Sequence, residues 1–102
     1  MTRFLQAAAT VNRVEALLAF GDRVAEVVRE NRIKGTGRSL ATDLVANPVV
    51  APTIVAAKYD VSYPAANNAV TRLVDAGLLH EITGRKYDRV FASIEVIRIA
   101  ES

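Results

Sequence analysis

The sequence predicts a mostly α-helical domain with a small β-hairpin: a winged helix-turn-helix preceded by a long N-terminal helix. Three observations predict it. Residues 2–31 carry apolar side chains at three- and four-residue steps, the spacing of one helical stripe. Residues 60–76 read as a tight turn leading into a helix that ends at Ala76-Gly77. Two short apolar runs then flank a Gly-Arg-Lys turn. Turn, helix and basic hairpin in that order make the second half of a winged helix-turn-helix, and the upstream chain is its scaffold.

Composition sets the frame. A chain of 102 residues is enough for one modest core. Hydrophobic residues at 51% and charged residues at 24% argue against disorder. Aromatics are only 6% and Trp is absent, so the abundant Ala and Val point to closely packed helices. The net charge is +2, from 13 basic and 11 acidic residues. Phosphate contacts dominate the affinity of DNA-binding domains, and so small an excess permits nucleic-acid binding without demanding it. With no Cys, disulfides and thiolate metal sites are excluded. No apolar run approaches the roughly 20 residues of a membrane span. Asn12, Arg13 and Glu15 interrupt the Ala-rich N-terminus, and helical periodicity continues past them, unlike a signal peptide. The expectation is a cytoplasmic protein without a membrane partner.

In the N-terminal helix, Phe4, Ala8, Val11, Val14, Leu18, Ala25 and Val28 form the stripe, widened by Leu17, Phe20, Val24 and Val27. Gly21-Asp22 lies in its middle. The alternatives are one kinked helix or two helices broken near Gly21, and the reading favours one continuous helix. Residues 32–38, with two Gly and three bases, read as a connector. No strand precedes them and no Gly-Lys-Ser/Thr follows, so they fail the phosphate-loop template. Residues 39–102 are then the winged-helix domain. Ser39 is expected to cap a helix over 40–46, with Asp43 in its first turn and Pro48 ending it. Residues 49–51 form a short apolar link. Pro52 opens the next helix, which turns Ile54, Val55 and Ala57 inward and closes at Asp60.

Ser62 caps the recognition helix, about residues 62–76, and Pro64 is tolerated in its first turn. Ala66, Ala69, Val70, Leu73 and Gly77 share its inner side. Pro64, Asn68, Thr71, Arg72 and Asp75 lie opposite, flanked by Tyr63 and Asn67, and Gly77 suits the left-handed position that ends a helix. The wing, about residues 78–92, alternates along 78–83 and 87–92 around a three-residue loop at 84–86. Residues 93–101 fit a short helix or a last strand; Ser93 as a cap favours the helix.

On these residues the chain resembles the C-terminal portion of Fic-family proteins, named for filamentation induced by cyclic AMP. The family pattern V-S-x-x-[TA]-A-x-x-A-[IV]-x-x-L-x-x-x-G-[IL]-L-x-E-x-T-G-R-x-R-x-R-x-[YF]-x-A stands here as VSYPAANNAVTRLVDAGLLHEITGRKYDRVFA over residues 61–92. Upstream, FLQAAATVNRVEALLAFGDRVAEVVRE is similar to the helix that closes the Fic core. The resemblance thus covers nearly the whole chain, and its most specific part is GLLHEITGRKYDRVFA. Two departures matter. The family's catalytic loop, His-Pro-Phe with a following Gly-Asn-Gly-Arg, is absent, so the chain is either a piece of a longer protein or a product without the catalytic domain. Tyr87-Asp88 also stands where the family's wing carries a further base.

Adenylyl transfer, the reaction the resemblance implies for a Fic core, needs a general base and a phosphate cradle, and this chain supplies neither. Its only His, His80, neighbours Glu81 on a strand, where adjacent side chains point to opposite faces. No catalytic residue, metal ligand or cofactor is therefore expected. Two functions remain. In the first, the domain binds double-stranded DNA: Tyr63, Asn67, Asn68, Thr71 and Arg72 face the major groove, since Asn suits adenine and Arg guanine. Arg85 and Lys86 then take phosphate or the minor groove, supported by Arg89 and Lys58. Asp75 on the same face and a net charge of zero over 61–77 oppose it. In the second, the domain is a protein-interaction module, packing through residues 2–31 on a Fic core or on a second copy as a homodimer.

Overall fold

Nothing in the first thirty residues forces a break, and the computed structural model has none there. It describes residues 2–101, with side chains from residue 12 onward. Helix α1 runs Thr2–Glu30 straight through Gly21, so the continuous alternative holds. Its buried seam is Phe20 and Val24, at 2% and 5% exposure, flanked by half-buried Leu17, Val27 and Val28. All but Val28 are the residues read as widening the stripe, and Val28 belongs to the stripe itself. Val14, Leu18 and Ala25, expected in the inner stripe, are exposed, because the domain packs on the side of α1 that carries Phe20 and Val24. The side chains of Phe4, Ala8 and Val11 lie outside the described residues.

The connector is shorter and tighter than the sequence suggests. Helix α2 is Thr36–Thr42, followed by a 3-10 turn at Asp43–Val45. Residues 36–38 are therefore helical, and Ser39 lies inside the helix instead of capping it. The physical reason is Ile33, which is buried to 3% and pulls the chain back onto the core. Positive φ at Arg32 (52°) and Gly35 (60°) makes the reversal on either side of it. Burial of one large aliphatic side chain stabilises by about 1.5–3 kcal/mol, enough to order a short loop.

Strand β1, Val49–Val50, replaces the expected apolar link. Helix α3, Pro52–Tyr59, starts on its proline and ends at Asp60 in the left-handed conformation, φ 53° and ψ 53°. Its inner stripe is Pro52, Val55, Ala56 and Tyr59, an i, i+3, i+4, i+7 set. Ile54 is 65% exposed and Ala57 is also exposed, which corrects the inward placement of both. Helix α4, Tyr63–Asp75, is capped by Ser62, whose Oγ accepts from the Ala65 amide at 3.2 Å. Ala66, Val70 and Leu73 are fully buried and Ala69 is nearly so. These small residues let α4 cross α2 and α3 closely. Gly77, at φ 81°, ends the helix, and the Leu78 amide bonds back to the Leu73 carbonyl at 2.9 Å, which closes the helix end.

Strands β2 (His80–Glu81) and β3 (Phe91–Ala92) complete a three-stranded antiparallel sheet in the order β1-β3-β2. Val50 pairs with Phe91 on one side of β3, and Glu81 pairs with the same residue on the other. The expected hairpin with a three-residue loop is not formed. The ladder reaches only one bond further, from the Ile82 amide to the Val90 carbonyl at 2.9 Å, and residues 83–89 make a wide loop. Positive φ at Gly84 and Asp88 bends it away from strand geometry. Helix α5, Ile94–Glu101, follows the buried cap Ser93, in keeping with the capping role read from the sequence. The fold is thus mostly helical with a small sheet. Among the described residues no helix is long and apolar enough to cross a membrane.

Candidate nucleic-acid interface

The inner face of α4 is committed to the core, so its outer face is free to act. Asn68, Thr71 and Arg72 are exposed there, Tyr63 is 53% exposed at its start, and Asn67 is half-buried at the edge. Asn68, Thr71 and Arg72 open onto a groove of about 670 Å³. Its opposite wall is the α1–α2 turn, which contributes Arg32, Lys34 and Thr36. Among the described residues Arg32 and Lys34 form no salt bridge. Reading residues 32–38 as a plain connector missed these two cations. The available signal was three bases within one Gly-flanked turn, but only the fold shows that the turn lies beside α4.

Arg72 behaves differently from the expectation of a base reader. One guanidinium nitrogen donates to the carbonyls of Asn31 at 3.2 Å and Arg32 at 3.3 Å. Carbonyls at a helix C-terminus lack intrahelical partners, and the helix dipole makes that end favourable for a cation. Arg72 is therefore spread across the groove, tying α4 to the end of α1.

The loop between β2 and β3 shows a similar division. Arg85 donates through Nε and Nη2 to the Asp88 carbonyl at 3.2 and 2.9 Å, which shapes the loop tip and leaves the charge exposed. Lys86 is exposed beside Tyr87, which is 80% exposed. Arg89 is internally neutralised, since its guanidinium meets Glu81 Oε1 at 2.7 Å and lies 5.0 Å from the Phe91 ring centre. The hydrogen bond from Arg89 is the main reason the Glu81 carboxyl is held below its usual range, with the Thr83 hydroxyl adding to it at 3.0 Å. The same bond raises Arg89 further, and Tyr63 contributes a smaller charge effect. Arg85 and Lys86 share no hydrogen bond or salt bridge with α4 among the described residues.

Lys58 is likewise engaged, 3.6 Å from Asp43 and 5.3 Å from the Tyr59 ring centre. The Tyr59 hydroxyl donates to the same Asp43 carboxylate. Burial first, then this hydrogen bond and the carboxylate's charge, push the Tyr59 phenol up to about 12. Of the candidate cations, Arg85 and Lys86 remain outward, Arg72 braces the fold, and Arg89 and Lys58 are paired. His80 is exposed on β2. Among the described residues no three His, Asp or Glu side chains gather where they could hold a metal ion.

Neither the family models nor the curated proteins compared with this chain give a match.

Proposed function

We propose that this chain is a non-catalytic winged-helix DNA-binding and regulatory domain of a Fic-type protein, with α4 as recognition helix and residues 78–92 as wing. The observation that carries the reading is the polar outer face of α4. Asn68 and Thr71 line a groove whose far wall holds the unpaired cations Arg32 and Lys34. A base-reading face needs polar side chains that can exchange donors and acceptors with base edges, and it needs flanking cations for the phosphates. The element order supports the reading as well: a strand, two helices joined by a tight turn, then two strands that pair with each other, the second of them also pairing with the first strand. The Fic resemblance covers nearly the whole chain and is most specific over residues 77–92, and within it the chain acts in the cytoplasm and leaves any adenylyl transfer to a partner core.

In this arrangement Asn68 and Thr71 contact bases from the major groove, with Asn67 and Tyr63 at the margin. Arg32, Lys34, Arg85 and Lys86 contact phosphates. The test is binding to a mixed-sequence duplex by fluorescence anisotropy across a range of salt. Arg32→Gln, Lys34→Gln and Lys86→Gln should each lower the salt slope by about one, because each leaves one phosphate to keep its counterion. Asn68→Ala with Thr71→Ala should flatten sequence preference while the slope stays. Absence of binding at low salt overturns the proposal.

A second reading is favoured by the N-terminal half of α1. Val14 and Leu18 are 52% and 66% exposed, one turn apart on a helix that outruns its domain. This face suits self-association, and it is compatible with DNA binding because dimers present two reading heads.

A further inference from the structure

On the other side of the α1–α2 turn, between the last turns of α1 and helix α2, the fold leaves an open cleft of about 750 Å³. That volume lies within the 300–1,000 Å³ usual for small-molecule sites. Val24, Val28, Ala41 and Val45 make its apolar floor, and Arg29, Arg32, Lys34 and Arg38 stand around its rim. Among the described residues no carboxylate lines it. Arg29 approaches only Glu26, at 3.9 Å. Among the described residues Arg32, Lys34 and Arg38 form no salt bridge. An apolar floor inside a rim of one charge sign selects a ligand that has both parts. A small inorganic anion would leave the floor wet, and a neutral hydrocarbon would gain nothing from the rim. A partner helix would need a groove several turns long for its i, i+4, i+7 anchors, and α2 offers only 7 residues.

We propose that this cleft binds an amphiphilic carboxylate, an apolar body of roughly ten carbons with one anionic head, on the scale of a medium-chain fatty acid. The carboxylate sits among the rim cations, where an Arg fork can take both oxygens, and the chain lies on Val24, Val28 and Ala41. Gly21 lines the cleft, and a Cβ added there meets nothing within 4 Å. The missing side chain keeps the mouth open. The cleft shares Arg32 and Lys34 with the groove beside α4, but its occupancy is measured without DNA, so failure of one reading is distinguishable from failure of the other.

The test is calorimetric titration of sodium decanoate into the full chain, below the concentration at which decanoate forms micelles. One saturable site is expected, with decanol at least about tenfold weaker, as loss of a charged hydrogen-bonding head requires. The exposed double variant Arg32→Gln, Arg38→Gln should weaken decanoate by about tenfold or more. Gly21→Leu should abolish binding by filling the mouth, with a melting temperature equal to or above the parent because Leu is the better helix former. No saturable binding, equal affinity for decanol, or unchanged affinity in either variant each overturns the proposal.

Discussion

At the end of α1 the carbonyls of Asn31 and Arg32 face the Arg72 guanidinium, which donates to both. Under the proposed function, an exposed Arg on the outward face of α4 is the first residue to be assigned to a base. Here its hydrogen bonds join two elements forty residues apart in sequence, so removing it tests stability before it tests binding. Arg72→Ala should lower unfolding free energy by about 1 kcal/mol, less than the roughly 1.5–3 kcal/mol of a hydrogen bond made by a charged group because both bonds are exposed to solvent. Urea melts give the measurement, and a change within error would mean that the guanidinium contributes nothing to the fold. Lys can reach only one carbonyl at a time as a point charge, so Arg72→Lys should recover part of the loss. The pattern TRL within a helix identifies an exposed Arg, and that much was legible. Its partners are backbone groups on a distant turn, which carry no sequence signal.

The same contrast runs through the elements. Local chemistry was legible: Ser62 and Ser93 as caps, Pro52 at a helix start, Asp60 and Gly77 at helix ends all act within three or four residues of themselves. Features that depend on a distant partner were not. Strand β1 is two residues long and exists because Phe91 and Ala92 lie beside it; Val49-Val50 alone carries too little alternation to announce a strand. Helix α2 starts early because Ile33 anchors the preceding turn. Its second residue, Gly37, is buried, and a Cβ there would lie 2.9 Å from Ile33 Cγ2. That methyl belongs to a stiff β-branched side chain already fixed in the core. Gly21 sits in helix α1 with open space around it. Alanine at these two glycines should therefore act in opposite directions. Gly21→Ala gains up to about 1 kcal/mol of helix propensity. Gly37→Ala gains the same term but forces an overpacked contact costing about 1–3 kcal/mol, for a net loss of about 1 kcal/mol. Thermal unfolding of the pair decides it, and two changes of the same sign would contradict the packing of Ile33 against α2.

Across the whole molecule, the dimensions are 52 × 29 × 22 Å and the radius of gyration is 15.0 Å, against about 13 Å for a globular chain of this length. The excess is α1. Its first half-buried side chains among those described are Ala16 and Leu17, the latter packed on the core, so the helix from Thr2 to Glu15 projects about 21 Å at its 1.5 Å rise per residue. Isolated helices of that length are marginal in water, and helices in proteins owe most of their stability to packing of one face. Val14 and Leu18 supply such a face, one turn apart. Burying each contributes about 1.5–3 kcal/mol, while association costs at least about 4 kcal/mol. Two such residues from each of two copies contribute about 9 kcal/mol at the centre of these figures, which against the minimum association cost leaves at most about 5 kcal/mol, a dissociation constant no tighter than on the order of 0.1–1 mM. Sedimentation at concentrations on either side of that range should show the change from monomer to dimer, and Leu18→Glu should hold the chain monomeric at the highest of them. Leu18 touches little of its own domain, so the urea midpoint of the monomer should stay where it was. A chain that remains monomeric throughout would overturn self-association through the α1 face, because the exposed turn at Val14 and Leu18 would then find no surface on a second copy.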